Sequence, residues 1–190
     1  PVVDAGPDQL QNFGTTVAIA GAISDDGDAP GGTITSLWTK FSGPGDASFA
    51  NVSDPQTTVT FTQPGIYVLS LAASDSQLSG SDTVTISVNA APVVSAGPNQ
   101  TIFINGFVQL QGTITDDGLP PNVNVSAQWS VVSGPGVMAI DNPYSATTAA
   151  GFSMVGTYVL RLTGDDSMLS SSSDVTITVR PINHPPEVFA

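Results

Sequence analysis

Apolar and polar residues alternate along most of this chain, in short runs broken by Gly, Pro, Asn, Asp and Ser. A period of two turns one side of each run toward a core and the other toward water, which is the pattern of a half-buried β-strand. In the first half it predicts strands near residues 2–5, 16–20, 35–41, 57–62, 66–72 and 83–88. Val, Ile, Thr and aromatic residues fill these runs, as a pleated surface prefers. Turn residues recur every 8–12 positions or so, the spacing of a β-sandwich. No stretch sustains a helical period, so essentially no α-helix is expected.

The same pattern occurs twice. Pro1-Val-Val-Asp-Ala-Gly-Pro-Asp-Gln9 returns as Pro92-Val-Val-Ser-Ala-Gly-Pro-Asn-Gln100, an offset of 91 residues. Without a gap, that offset pairs Asp25-Asp26-Gly27 with Asp116-Asp117-Gly118, Trp38 with Trp129, and Ser42-Gly-Pro-Gly45 with Ser133-Gly-Pro-Gly136. It also pairs Gly65 with Gly156 and Tyr67 with Tyr158. Self-similarity at a fixed period is the mark of a repeat architecture. The expected organisation is one β-sandwich over residues 1–91, a second over 92–183, and the opening of a third over 184–190, where Pro186 takes the place of Pro1 and Pro92. The links are short and contain proline, which makes them stiff.

Composition narrows the chemistry. The 190 residues hold 3 Lys and Arg against 16 Asp and Glu, for a net charge of -13. Three cations cannot neutralise a phosphate backbone, so nucleic acid is excluded as a partner. The hydrophobic fraction of 40% suffices for a core, and no apolar run approaches the ~20 residues of a membrane span. No membrane insertion is expected in this stretch, and any signal peptide or anchor is expected outside it. The absence of cysteine excludes disulfides and thiol chemistry and points to a bacterial or archaeal surface protein. Glu187 is the only Glu, so the acidity is aspartate and belongs to turns and loop ends.

Ala5-Gly-Pro-Asp-Gln9, Ser24-Asp-Asp-Gly27, Trp38 followed by Ser42-Gly-Pro44, Gly65-Ile-Tyr-Val-Leu69 and Ser81-Asp-Thr-Val-Thr-Ile86 resemble the polycystic-kidney-disease (PKD) domain family. The closer likeness is its variant with Ser-Gly-Pro after the strand-C Trp. The resemblance covers both repeats and implies all-β, tandem immunoglobulin-like sandwiches of seven strands. The chain departs from the family in lacking the Trp-Asp-Phe-Gly-Asp-Gly run.

Catalytic chemistry has little to work with. The only His is His184 in a linker, and no nucleophile–base pair or phosphate-binding loop can be assembled, so no enzyme is expected. Trp38 and Trp129 stand where such sandwiches bury a core aromatic. Phe13, Phe103, Phe107 and Tyr144 are the better candidates for holding a sugar. Asn51, Asn99 and Asn124 head Asn-x-Ser/Thr triplets and are candidate glycosylation sites.

The Asp clusters are the candidate metal site. In an immunoglobulin-like sandwich the B–C and F–G loops share one end of the domain with the start of strand A. Asp116, Asp117 and Asp166 should therefore meet Asn89 of the preceding link. Asp25, Asp26 and Asp75 form the matching set of the first repeat, and Asn183 the linker ligand for a third. Carboxylates gathered without a cation repel, and a hard divalent ion with oxygen ligands converts that repulsion into binding. Calcium-binding PKD domains of secreted enzymes resemble this set, so Ca2+ is the expected cofactor.

Together these readings predict a non-catalytic extracellular or cell-surface repeat, serving as stalk, adhesin or filament array and rigidified by Ca2+. Its partners would be neighbouring repeats of the same chain or fibre. The alternative is an accessory module that presents an extracellular glycan to a hydrolase.

Overall fold

In each repeat the alternating runs build a four-stranded and a three-stranded sheet whose apolar sides face one another, with a further two-stranded pair. The computed structural model describes residues 1–27 and 33–182. It divides the chain into two units, one of Pro1–Ala90 with Leu119–Pro121, the other of Ala91–Gly118 and the residues from Asn122 onward. The expected third opening at 184–190, with His184, lies outside the described residues, as does Asn183.

The first unit runs β1 (Val2–Asp4), β2 (Gln9–Asn12), β3 (Val17–Ala20), β4 (Ala22–Ser24), β5 (Thr35–Ser42), β6 (Ala47–Phe49), β7 (Gln56–Phe61), β8 (Gly65–Ser74) and β9 (Ser79–Asn89). One sheet has the order β2-β9-β8-β5, a second β3-β7-β6, and β1 pairs with β4. The β2–β9 pairing is parallel and the others antiparallel. The second unit repeats this with β10 (Val93–Ser95), β11 (Gln100–Phe103), β12 (Phe107–Gln111), β13 (Thr113–Thr115), β14 (Ser126–Ser133), β15 (Met138–Ile140), β16 (Thr147–Phe152), β17 (Gly156–Asp165) and β18 (Ser170–Arg180). Its sheets follow the orders β11-β18-β17-β14, β12-β16-β15 and β10-β13. Every regular element among the described residues is a strand. This is the tandem immunoglobulin-like fold that the family resemblance implied, with nine strands in each unit rather than seven because the opening strands are each broken into two short pieces, β1 and β2, β3 and β4, and their counterparts.

The core is what alternation dictates. Tyr67, Leu69 and Leu71 of β8 and Val84, Ile86 and Val88 of β9 point inward and are buried, with Val17, Ile19 and Val59 of the facing sheet. Trp38 closes this core from β5, and its Nε1 donates to the Pro55 carbonyl at 3.2 Å. In the second unit Trp129 is likewise buried, donating to the Ala146 carbonyl at 3.1 Å. Both indoles are therefore core groups, as their strand position implied.

The Ser-Gly-Pro-Gly run has a packing role. Tyr67 is buried in the bend that opens β8; its hydroxyl donates to the Gln63 carbonyl at 2.8 Å and accepts the Gly45 N–H at 3.1 Å. A buried Tyr whose OH bonds backbone just upstream is the tyrosine corner of such sandwiches. Gly43 lies flat on that ring, where a Cβ would stand 2.3 Å from Tyr67 Cδ1. Pro44 covers Gly65, whose φ of +126° favours glycine. The second unit repeats the clamp with Gly134 on Tyr158 and Pro135 over Gly156 at φ +141°. There the Tyr158 hydroxyl donates to the Met154 carbonyl at 3.0 Å.

Candidate functional site

The loops after β4 and β8 lie at one pole of the first unit. Asp25 and Asp26 follow β4 and line a shallow depression with Pro1, Val2 and Ser24. The Pro1 nitrogen stands 3.1 Å from Asp25 Oδ1. Asp75 follows β8 and is buried at 5% exposure. Its Oδ1 accepts the N–H groups of Leu78 at 2.7 Å and Gln77 at 2.9 Å, which closes the turn into β9. The Leu78 bond first and then the Gln77 bond hold its carboxyl below the ordinary carboxylate range, against the opposing effect of burial.

The second unit repeats the turn chemistry. Asp166 is buried at 1% exposure, and its Oδ1 accepts the N–H groups of Met168 and Leu169, each at 2.7 Å. Asp165 forms a smaller turn through the Ser167 N–H at 2.7 Å. Asp116 follows β13, and its Oδ1 is shut away from solvent without a hydrogen-bond partner. Asp117 is exposed. Asn89 ends β9 in the first unit, fully buried, and its carbonyl accepts the Phe13 N–H at 2.8 Å. Among the described residues no three His, Cys, Asp or Glu side chains gather into a metal-holding group.

Asp75 and Asp166 are buried turn braces. One oxygen of Asp75 and of Asp166 builds the turn itself, bonding backbone N–H groups two and three residues ahead as short polar side chains do. Another pair of braces was not legible as such in the sequence. Asp82 Oδ2 accepts the Ala5 N–H at 2.9 Å, and that bond, then one from Thr83, lowers its pKa. Asp8 Oδ1 accepts the Thr85 N–H at 2.7 Å, and Asn99, its counterpart one repeat later, accepts the Thr176 N–H at 2.8 Å. The identity of role across an Asp/Asn exchange at one offset was the available signal.

The three glycosylation candidates, Asn51, Asn99 and Asn124, are all exposed. Asn51 Oδ1 accepts the Ser53 N–H at 3.0 Å, so it and Asn99 also serve local structure. Of the aromatic candidates, Phe103 at 60%, Phe107 at 75% and Tyr144 at 71% are well exposed, and Phe13 less so at 43%.

The human Dyslexia-associated protein KIAA0319 (Homo sapiens) is 29% identical over 204 residues, covering 99% of this chain. Its homolog in Rattus norvegicus is 29% identical over 199 residues, covering 98% of the chain. This chain spans only 18% of the length of either relative. A three-Ig structure of titin domains is 12% identical with a TM-score of 0.55, covering 93% of this chain and 64% of its own, a likeness of fold alone. These mammalian relatives give no support to the bacterial or archaeal source inferred from the lack of cysteine. The family model described as "K319L-like, PKD domain" matches residues 5–88 and again 96–179, so the chain belongs to the K319L-like PKD domain family.

Proposed function

We propose that this chain is a non-catalytic, extracellular structural module: consecutive units of an array that spaces and displays what it carries, with Ca2+ stiffening the loop pole of each unit. The observation that carries the structural reading is the use made of the polar groups held away from water. Asp75, Asp166, Tyr67 and Tyr158 are all directed to backbone, where they hold turns and strands. The calcium reading draws on Asp116 Oδ1, a buried carboxylate oxygen without a hydrogen-bond donor, since such an atom is costly unless a cation or proton meets it. Asp25, Asp26 and Asp75 supply the corresponding oxygens in the first unit, and Asp116, Asp117 and Asp166 those of the second. Exposed sequons and a strongly acidic, lysine-poor surface suit an extracellular setting, with neighbouring repeats of the same chain or fibre as the natural partners.

One observation favours a second reading, an accessory glycan-binding module. Phe103 and Phe107 are exposed on either side of one turn in the second unit, where the first unit has Asn12 and Thr16. Exposed rings in pairs can stack on sugars. A pull-down with insoluble polysaccharides separates the two readings. The spacer reading expects the chain to stay in the supernatant. Retention that disappears in a Phe103→Ala, Phe107→Ala variant would establish the glycan module instead.

A further inference from the structure

The outer face of the β9-β8-β5 sheet in the first unit carries aliphatic side chains among Ser and Thr, and no charge. Alternation sets its outward residues: Leu37 and Thr39 on β5, opposite the buried Trp38, and Ile66, Val68, Ser70 and Ala72 on β8, between the buried Tyr67, Leu69 and Leu71. Leu37 is 47% exposed and Ile66 57% exposed. A shallow apolar depression beside Leu37 and Ala72 is bordered by Thr35, Ser74 and Ser79. The outward positions of β9 are all Ser or Thr up to Ser87, so no charged side chain stands on the outward positions of these three strands.

The second unit shows that the fold does not require this. At the same offset Leu37 becomes Gln128, Ile66 becomes Thr157 and Ala72 becomes Thr163, while Ser70 and Thr83 become Arg161 and Asp174. That last pair forms a bidentate ion pair across the sheet at 2.7 and 2.8 Å. One fold thus carries a charged face in one copy and an uncharged face of aliphatic and hydroxyl side chains in the other.

We propose that this face of the first unit is a self-association surface whose occupant is the same face of a second copy of this chain. Charge selects that occupant. A chain of net charge -13 repels its own copies wherever aspartates are displayed, and an uncharged face is where two copies can meet without desolvating a carboxylate. A basic or acidic partner would find nothing here to pair with. Ser and Thr hydroxyls both donate and accept, so Ser70 and Thr83 are self-complementary across a twofold axis. Two such sheets stack face to face about 10 Å apart, with the aliphatic side chains interdigitated. Three strands cover on the order of 400 Å² per copy, about half of what a stable complex uses. The contact is accordingly weak and reversible, suited to arrays that multiply it. It goes beyond the calcium reading and does not depend on it.

Sedimentation of the full chain from micromolar to near-millimolar concentration, in EDTA and in calcium, tests the proposal. The expected result is a mass that rises from monomer toward dimer with concentration, and rises further in high salt as repulsion between the acidic copies is screened. A double variant, Leu37→Gln with Ile66→Thr, installs the residues that the second unit already carries in the same fold, and should weaken association at least tenfold. Ser70→Arg, the Arg161 counterpart, would place like charges in the contact and should abolish it. The proposal is overturned if the parent chain stays monomeric throughout, or if either folded variant associates as well as the parent. Failure of calcium binding would leave this outcome unaffected.

Discussion

Replacing Trp129 with alanine is expected to cost about 3–5 kcal/mol, the usual range for a buried aromatic, because the surrounding core cannot collapse into the space. The indole is 3% exposed and in one cluster with Leu110, Leu160, Leu162 and Val175, while its N–H ties β14 to the Ala146 carbonyl. A domain of this size has about 5–15 kcal/mol in total, so the second unit would lose a large part of its margin. Urea unfolding followed by circular dichroism should show part of the β signal lost at low denaturant. The emission of Trp38, the remaining tryptophan, should meanwhile still report a buried indole in the first unit. A variant that unfolds at the midpoint of the parent would show that Trp129 contributes little to the core.

Gly134→Ala is the second large effect. A Cβ at Gly134 would stand 2.2 Å from Tyr158 Cδ1 and 2.7 Å from Cε1, so the ring would have to move. That ring is fully buried, tilted against Phe152 at 4.6 Å between centroids, and pinned through its hydroxyl to Met154. Neither side can yield cheaply, and overpacking of this kind costs about 3 kcal/mol. Gly118→Ala is the comparison: its φ of +85° strains any side chain, but nothing lies within 4 Å, so only about 1–2 kcal/mol of left-handed strain is expected. Equal melting temperatures for the two variants would show that the tyrosine clamp is not what the Ser-Gly-Pro-Gly run is for.

How far the sequence could be read depended on the kind of signal. Long strands with one buried side were plain: the run 66–72 corresponds to β8 and the run 83–88 to the inner part of β9. Short pieces were not. β2 pairs in parallel with β9 through Gln9–Asn12, all four half-buried, so alternation gave nothing to find. β4 and β6 have three residues each, too few for alternation to mark them. The chain ends and motif turns were legible as glycine and proline, but not their purpose, because a clamp on Tyr67 is a tertiary contact across 22 positions. The same holds at the loop pole. The Asp pairs stood out at the ends of strands. What spacing could not reveal is that Asp75 and Asp166 each commit an oxygen to backbone N–H groups, which changes what they can offer a metal.

The most direct test of the central claim is calcium calorimetry on the full 190-residue chain, paired with thermal melts in calcium and in EDTA. The account predicts saturable binding at or below millimolar Ca2+ and a lower melting temperature in EDTA. At one hundred times the dissociation constant, mass action stabilises the folded state by about 2.7 kcal/mol per site. Asp116→Asn should remove the site of the second unit while leaving that of the first. No binding heat at millimolar Ca2+, together with identical melts in calcium and in EDTA, would contradict it.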